Sequence, residues 1–78
     1  MEKTDIKITR FKDGDWFIDI VETDELYESW LQHKDYGVSS LMFGLMKKDV
    51  SFACACEAVK ANIDNHKAIY KEAHMDEE

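Results

Sequence analysis

The C-terminal third of the chain contains the pattern that most constrains the fold. Apolar or aromatic side chains recur there at alternating spacings of four and three residues, with one histidine in the series: Phe52, Cys56, Val59, Ile63, His66, Tyr70 and Ala73. Such spacing keeps these side chains on one face of an α-helix through three seven-residue repeats. Because Asp49 or Ser51 can cap its start, the sequence predicts a helix over residues 51–74.

This helix is long for so small a protein. About 24 helical residues span roughly 36 Å, whereas a seven-residue strand spans roughly 23 Å. The last turns should therefore extend beyond any sheet that such strands form. The chain has only 78 residues, so it forms a single domain over residues 1–78 with a small core. We expect the distal face of the helix, at Ile63, His66 and Tyr70, to be buried against a second copy.

Two stretches near the N-terminus alternate apolar and polar side chains, as half-buried strands do. They predict strands near residues 4–11 and 15–22. Lys12, Asp13 and Gly14 separate the two stretches and favour a hairpin turn.

The length of this turn is predicted from the face that the hairpin would bury. A two-residue turn at Asp13 and Gly14 would scatter the apolar side chains over both faces. A three-residue loop over residues 12–14 keeps them on one face, with these pairs: Ile8 with Ile18, and Ile6 with Ile20. We therefore predict the three-residue loop.

The next segment has features of a short helix. Thr23 can cap it, and four apolar residues form a stripe at helical spacing: Leu26, Tyr27, Trp30 and Leu31. Gly37 can end it. The sequence therefore predicts a helix near residues 24–34.

Residues 38–46, VSSLMFGLM, are apolar on both alternating sets of positions. A helix would have to begin two residues after Gly37, which can end the preceding helix, and hold Gly44 in its middle, which costs stability. We therefore predict a strand near residues 39–46, with both of its faces covered.

Together these elements predict a small α+β domain of the order ββαβα. A right-handed crossover would place both helices on one face of a three-stranded sheet, with the long helix at the C-terminus. The other face would then present apolar side chains to another molecule: Phe17, Val21, Met42 and Met46.

Acidic residues dominate the charge of the chain, which is −7 overall. No Lys or Arg lies between Asp13 and His33. Six acids of this segment are expected on the surface: Asp13, Asp15, Glu22, Asp24, Glu25 and Glu28. Such a surface repels phosphates, so binding to nucleic acid or to an anionic membrane is not expected, whereas a basic protein is a possible partner.

No combination of side chains predicts a catalytic or metal site. The three glycines form no phosphate-binding loop, and no two histidines have the spacing of four residues that places two metal ligands on one helix face. Cys54 and Cys56 would point about 200° apart on the helix, as two unpaired thiols. We therefore expect no cofactor, no metal and no enzymatic activity.

A cytoplasmic location is expected. No stretch approaches the ~20 consecutive apolar residues that span a membrane, and the first residues are too polar for a secretory signal. The expected function is that of a small acidic protein-interaction module, a homodimeric regulator or accessory factor. The alternative is an acidic inhibitor that mimics nucleic acid and occupies a nuclease or a DNA-binding protein.

Overall fold

A computed structural model describes residues 6–75 as four strands followed by one helix. The elements are β1 (Lys7–Asp13), β2 (Trp16–Glu22), β3 (Leu26–His33), β4 (Ser39–Met46) and α1 (Phe52–His74). The strands form one antiparallel sheet in the order β1-β2-β3-β4, with each strand next to its neighbour in sequence. The helix lies on one face of this sheet, over β3 and β4.

The predicted three-stranded sheet with two helices is wrong, because the segment predicted as the helix 24–34 is strand β3. In β3 the residues that face α1 are Tyr27, Ser29, Leu31 and His33, and all four are buried. Two of them are polar, and apolar Leu26 and Trp30 lie on the opposite face. The alternation of a strand was therefore hidden in the sequence.

Thr23 forms the hydrogen bonds of a helix cap without starting a helix. Its hydroxyl oxygen accepts from the amides of Glu25 and Leu26 at 3.4 and 3.1 Å. Its own amide donates to the Leu26 carbonyl at 2.9 Å, which closes a tight turn between β2 and β3. The same hydroxyl chemistry serves turns and helix starts, so the residue type did not distinguish them.

The predicted three-residue loop between the first two strands is also wrong. Asp13 pairs with Trp16, so the turn consists of Gly14 and Asp15. Gly14 has a φ of 61°, and no non-glycine residue described here has a positive φ, which fits a type II′ turn. Ile8 consequently pairs with Val21, and Ile18 with Phe11. The predicted strand 4–11 begins at residues 4 and 5, which lie outside the described residues.

The other predicted elements are confirmed. The strand predicted at 15–22 is β2, the strand predicted at 39–46 is β4, and the helix predicted at 51–74 is α1. Ser51 is the cap of α1, since its side chain accepts from the amide of Cys54 at 3.2 Å. The core lies between α1 and the sheet and is formed by Trp16, Ile18, Ile20, Tyr27, Leu31, Met42, Ala55, Val59 and Tyr70.

Candidate interaction surfaces

The outer face of the sheet, on the side away from α1, is rich in apolar side chains. Strand register and burial place seven of them there: Ile8, Phe17, Val21, Leu26, Trp30, Leu41 and Met46. Ile8 is 62% exposed, Leu41 52% and Met46 39%. No described element covers this outer face.

The outer face also holds four charged side chains whose charges cancel. Arg10 donates two hydrogen bonds to the Asp19 carboxylate, at 2.7 and 2.9 Å, and its guanidinium lies 4.7 Å from the centre of the Phe17 ring. The hydrogen bonds and negative charge of Asp19 raise the pKa of Arg10. Lys12 and Glu28 complete the set, so the outer face is neutral on a chain of net charge −7.

Three of the predicted interface residues, Phe17, Val21 and Met46, lie together on the outer face. Met42 does not, because the pairing of β3 with β4 shifts between Ser29 and Trp30. This irregularity leaves Met42 unpaired and buried in the core at 9% exposure. Met42 is therefore not a surface residue of the single chain.

The distal face of the helix is covered by the chain itself, contrary to the predicted extension beyond the sheet. Tyr70 is 1% exposed, and its ring packs edge-on against Trp16 at 5.2 Å. Its hydroxyl donates to the Val38 carbonyl at 2.7 Å and accepts from the His33 amide at 3.3 Å. The segment after β3, including Tyr36, extends the cover to the last helix turns.

The other two residues predicted on that face also point toward the sheet. Ile63 is half-buried and packs against the core. His66 is half-buried, with its ring centre 6.2 Å from that of Phe43. Ile69, a large apolar residue at this end of α1, is instead exposed, at 49%.

The acidic residues do not form one continuous surface. Asp13 and Asp15 are exposed at one end of β2, and Asp24 and Glu25 are exposed at the other. A strand of seven residues separates the two groups by roughly 23 Å. The remaining two are half-buried: Glu22, whose carboxylate lies 3.8 Å from the Lys47 ammonium, and Glu28, which accepts a hydrogen bond from the Trp30 indole at 3.3 Å.

The two cysteines are free and differ in their surroundings. Cys54 is exposed in the first turn of α1, where hydrogen bonding to Ser51 lowers the pKa of its thiol. Cys56 is half-buried on the side of α1 that faces β1. Within residues 6–75, no three His, Cys, Asp or Glu side chains are grouped in a way that could hold a metal ion.

His33 is buried beside the core. Its Nδ1 atom accepts a hydrogen bond from the Asp35 amide at 3.2 Å, and the Asp35 carboxylate lies 3.9 Å from the same atom. The His33 ring packs edge-on against Trp16 at 4.8 Å, in a structural position within the core.

A groove of about 430 Å³ lies on the opposite side of the sheet from the outer face. It forms because α1 lies over β3 and β4, which leaves the helix side of β1 open. Its lining is mainly apolar: Phe11, Ile18, Cys56, Val59 and Ile63, with Lys12, Asp13 and Lys60 as the polar members.

Sequence reasoning missed much of the outer face and all of the groove. The predicted helix includes Leu26 and Trp30 in its apolar stripe, and the predicted outer set with Met42 and Met46 leaves Leu41 on the opposite side of its strand. Both faces of β3 mix apolar and polar side chains, so no alternation in the sequence places Trp30 on an outer face. No signal in the sequence indicates that the helix leaves β1 open.

Comparisons with protein-family models, with curated proteins and with solved structures find no match to this chain. In the part of the chain that the structure describes, no helix combines the length and apolar character needed to cross a membrane.

Proposed function

We propose that this chain is a non-enzymatic protein-interaction module that forms a homodimer through the outer face of its sheet. The observation behind the proposal is the uncovered apolar surface that includes Trp30, Leu41 and Met46. Contiguous apolar surface of this kind on a small domain marks an interaction site. Its role as a regulator or accessory factor and its cytoplasmic location stay predictions.

A second copy suits the outer face better than a basic partner does. The paired charges of Arg10 and Asp19, together with Lys12 and Glu28, leave the face neutral. Two acidic copies would repel each other at most other surfaces but not at this one. A basic partner would find no excess of negative charge here.

The size of the outer face is compatible with a weak dimer. Four strands about 4.8 Å apart and seven or eight residues long cover roughly 19 by 25 Å. Two such faces bury on the order of 1,000 Å², at the lower limit for a specific interface. Two sheets packed in this way lie about 10 Å apart, and the dimer has helices on its two outer sides.

The exposed acids favour no second function. A nucleic-acid mimic needs carboxylates that follow the spacing of phosphates over an extended surface. The exposed pairs at Asp13 and Asp15 and at Asp24 and Glu25 lie at opposite ends of β2, so we do not propose the mimic.

Two matched substitutions test the proposed dimer. Leu41 on the outer face and Ile69 on α1 are exposed to similar extents, 52% and 49%. We expect the wild-type chain to be largely dimeric by light scattering at about 100 µM, as a micromolar dissociation constant implies. Leu41→Glu should make it monomeric because the added charge would be buried, whereas Ile69→Glu should leave the dimer intact.

Salt provides a further control for this experiment. A dimer held by apolar contacts across a neutral surface should persist in high salt, which screens charge attraction. A wild-type chain that is monomeric at this concentration, or a dimer indifferent to Leu41→Glu, would show that the outer face does not mediate self-association.

A further inference from the structure

The groove between β1 and α1 has the dimensions and lining of a small-molecule site. Its volume of about 430 Å³ falls within the ~300–1,000 Å³ that is typical of such sites. Apolar side chains of both elements line it, and Phe11 remains 41% exposed there although it pairs with buried Ile18. The groove is thus an apolar space that residues 6–75 leave unfilled.

The unpaired charge on the helix side of the groove is positive, in contrast to the net charge of the chain. Lys60 of α1 supplies it, whereas the side chain of Lys12 lies on the outer face, as that of its strand partner Phe17 does. The third polar lining residue, Asp13, is neutralised by Lys67, whose ammonium lies 2.8 Å from the Asp13 carboxylate. On a protein of net charge −7, this arrangement favours an anion at the groove.

We propose that the groove binds a medium-chain carboxylate, with its alkyl chain along Phe11, Val59 and Ile63 and its carboxylate at Lys60. The apolar lining fits the alkyl chain, and the Lys60 ammonium fits the single negative charge. The occupant is one free amphiphile molecule and not a membrane surface.

The length of the groove determines the length of the alkyl chain that fits into it. The helix residues that line it run from Cys56 to Ile63, which is about 10 Å along the helix axis. An extended alkyl chain advances roughly 1.25 Å per carbon–carbon bond, so about eight bonds fill the groove. Decanoate is therefore the matching probe.

Calorimetric titration of the full chain with carboxylates of increasing length tests this proposal. Affinity should rise roughly fourfold per methylene from hexanoate to decanoate and then level off, because further carbons leave the groove. Decanol, which has no charge, should bind more weakly than decanoate. No binding of decanoate, an unbroken rise with chain length, or equal affinity for decanol would overturn the proposal.

Charge reversal tests the assigned lysine. Lys60→Glu should lower the affinity for decanoate about fivefold, because it replaces an attraction with a repulsion at a solvent-exposed site. Lys48→Glu makes the same change of charge in an exposed turn outside the groove and should have little effect. Equal effects of the two substitutions would contradict the assignment.

The two cysteines report directly on where the ligand binds. Cys56 lines the groove, and exposed Cys54 does not. Saturating decanoate should slow alkylation of Cys56 by iodoacetamide and leave the rate at Cys54 unchanged, as followed by mass spectrometry.

The Leu41→Glu variant should bind decanoate as tightly as the wild type does, since Leu41 lies on the other side of the sheet. Loss of binding in that variant, or no protection of Cys56, would place the amphiphile outside the groove.

Discussion

Tyr70 joins the distal half of the helix to the sheet through one hydroxyl group. That group donates to the Val38 carbonyl and accepts from the His33 amide, and the Tyr70 side chain is almost fully buried. Because the hydroxyl satisfies the last amide of β3 and a carbonyl of the segment that joins β3 to β4, it fixes this segment over the helix end. The segment thereby covers the part of α1 for which the sequence indicates no partner within the chain.

Removing this hydroxyl should destabilise the chain measurably. We expect Tyr70→Phe to lower the free energy of unfolding by about 1–3 kcal/mol, because the buried His33 amide and the Val38 carbonyl lose their partner while the aromatic packing is kept. Urea denaturation measures this difference.

Tyr36→Phe is the matched control for that substitution. Tyr36 packs beside Tyr70, and within residues 6–75 its hydroxyl makes no hydrogen bond, so its loss should change stability by less than about 0.5 kcal/mol. Equal losses in the two variants would contradict the role assigned to the Tyr70 hydroxyl.

At the scale of the secondary-structure elements, the sequence predicts those helices and strands that have one strong local pattern of apolar residues. The spacing from Phe52 to Tyr70 identifies α1, and the alternation around Ile18 identifies β2. Strand β3 could not be recognised in the same way. Its buried face includes polar Ser29 and His33, so tertiary packing decided its conformation against the local pattern.

Features that depend on pairing between elements were the least predictable. The sequence placed Phe17, Val21 and Met46 on a face away from the helices, and the structure has all three on the outer face. Met42 was assigned to the same face, but a shift in strand register buries it. A shift of this kind arises from the fit of β4 to its neighbour and leaves no mark in the sequence.

The turn between β1 and β2 fixes the register that exposes Ile8. Gly14 needs its positive φ there, and nothing lies within 4 Å of where a Cβ would be, so a side chain would act through backbone strain alone. We expect Gly14→Ala to lower the free energy of unfolding by about 1–2 kcal/mol.

Gly37→Ala provides the control for this turn. Its surroundings are equally open, but its φ is not positive, so alanine should be neutral or slightly stabilising. Thermal unfolding of both variants measures the effects. If Gly14→Ala were as well tolerated as Gly37→Ala, the two-residue turn and the register that follows from it would be wrong.

The whole molecule has two layers, the sheet and the helix, and two surfaces that these layers leave open. The helix covers β3 and β4 on one side, so the groove remains beside β1. Nothing described covers the outer face on the other side. The dimer would add a second sheet to the outer face, and the amphiphile would fill the groove, so the two proposals concern opposite sides of the sheet and can fail independently.

The most direct test of the proposed dimer is an isotope-filtered NOE experiment on a sample that mixes labelled and unlabelled chains. It detects protons of one copy that lie close to protons of the other. We predict contacts between copies from the side chains of Val21, Leu41 and Met46, and none from Ile69. Contacts between copies that involve Ile63 or Ile69 and omit Leu41, or a complete absence of such contacts at concentrations where the chain is dimeric, would contradict the assignment of the outer face as the interface.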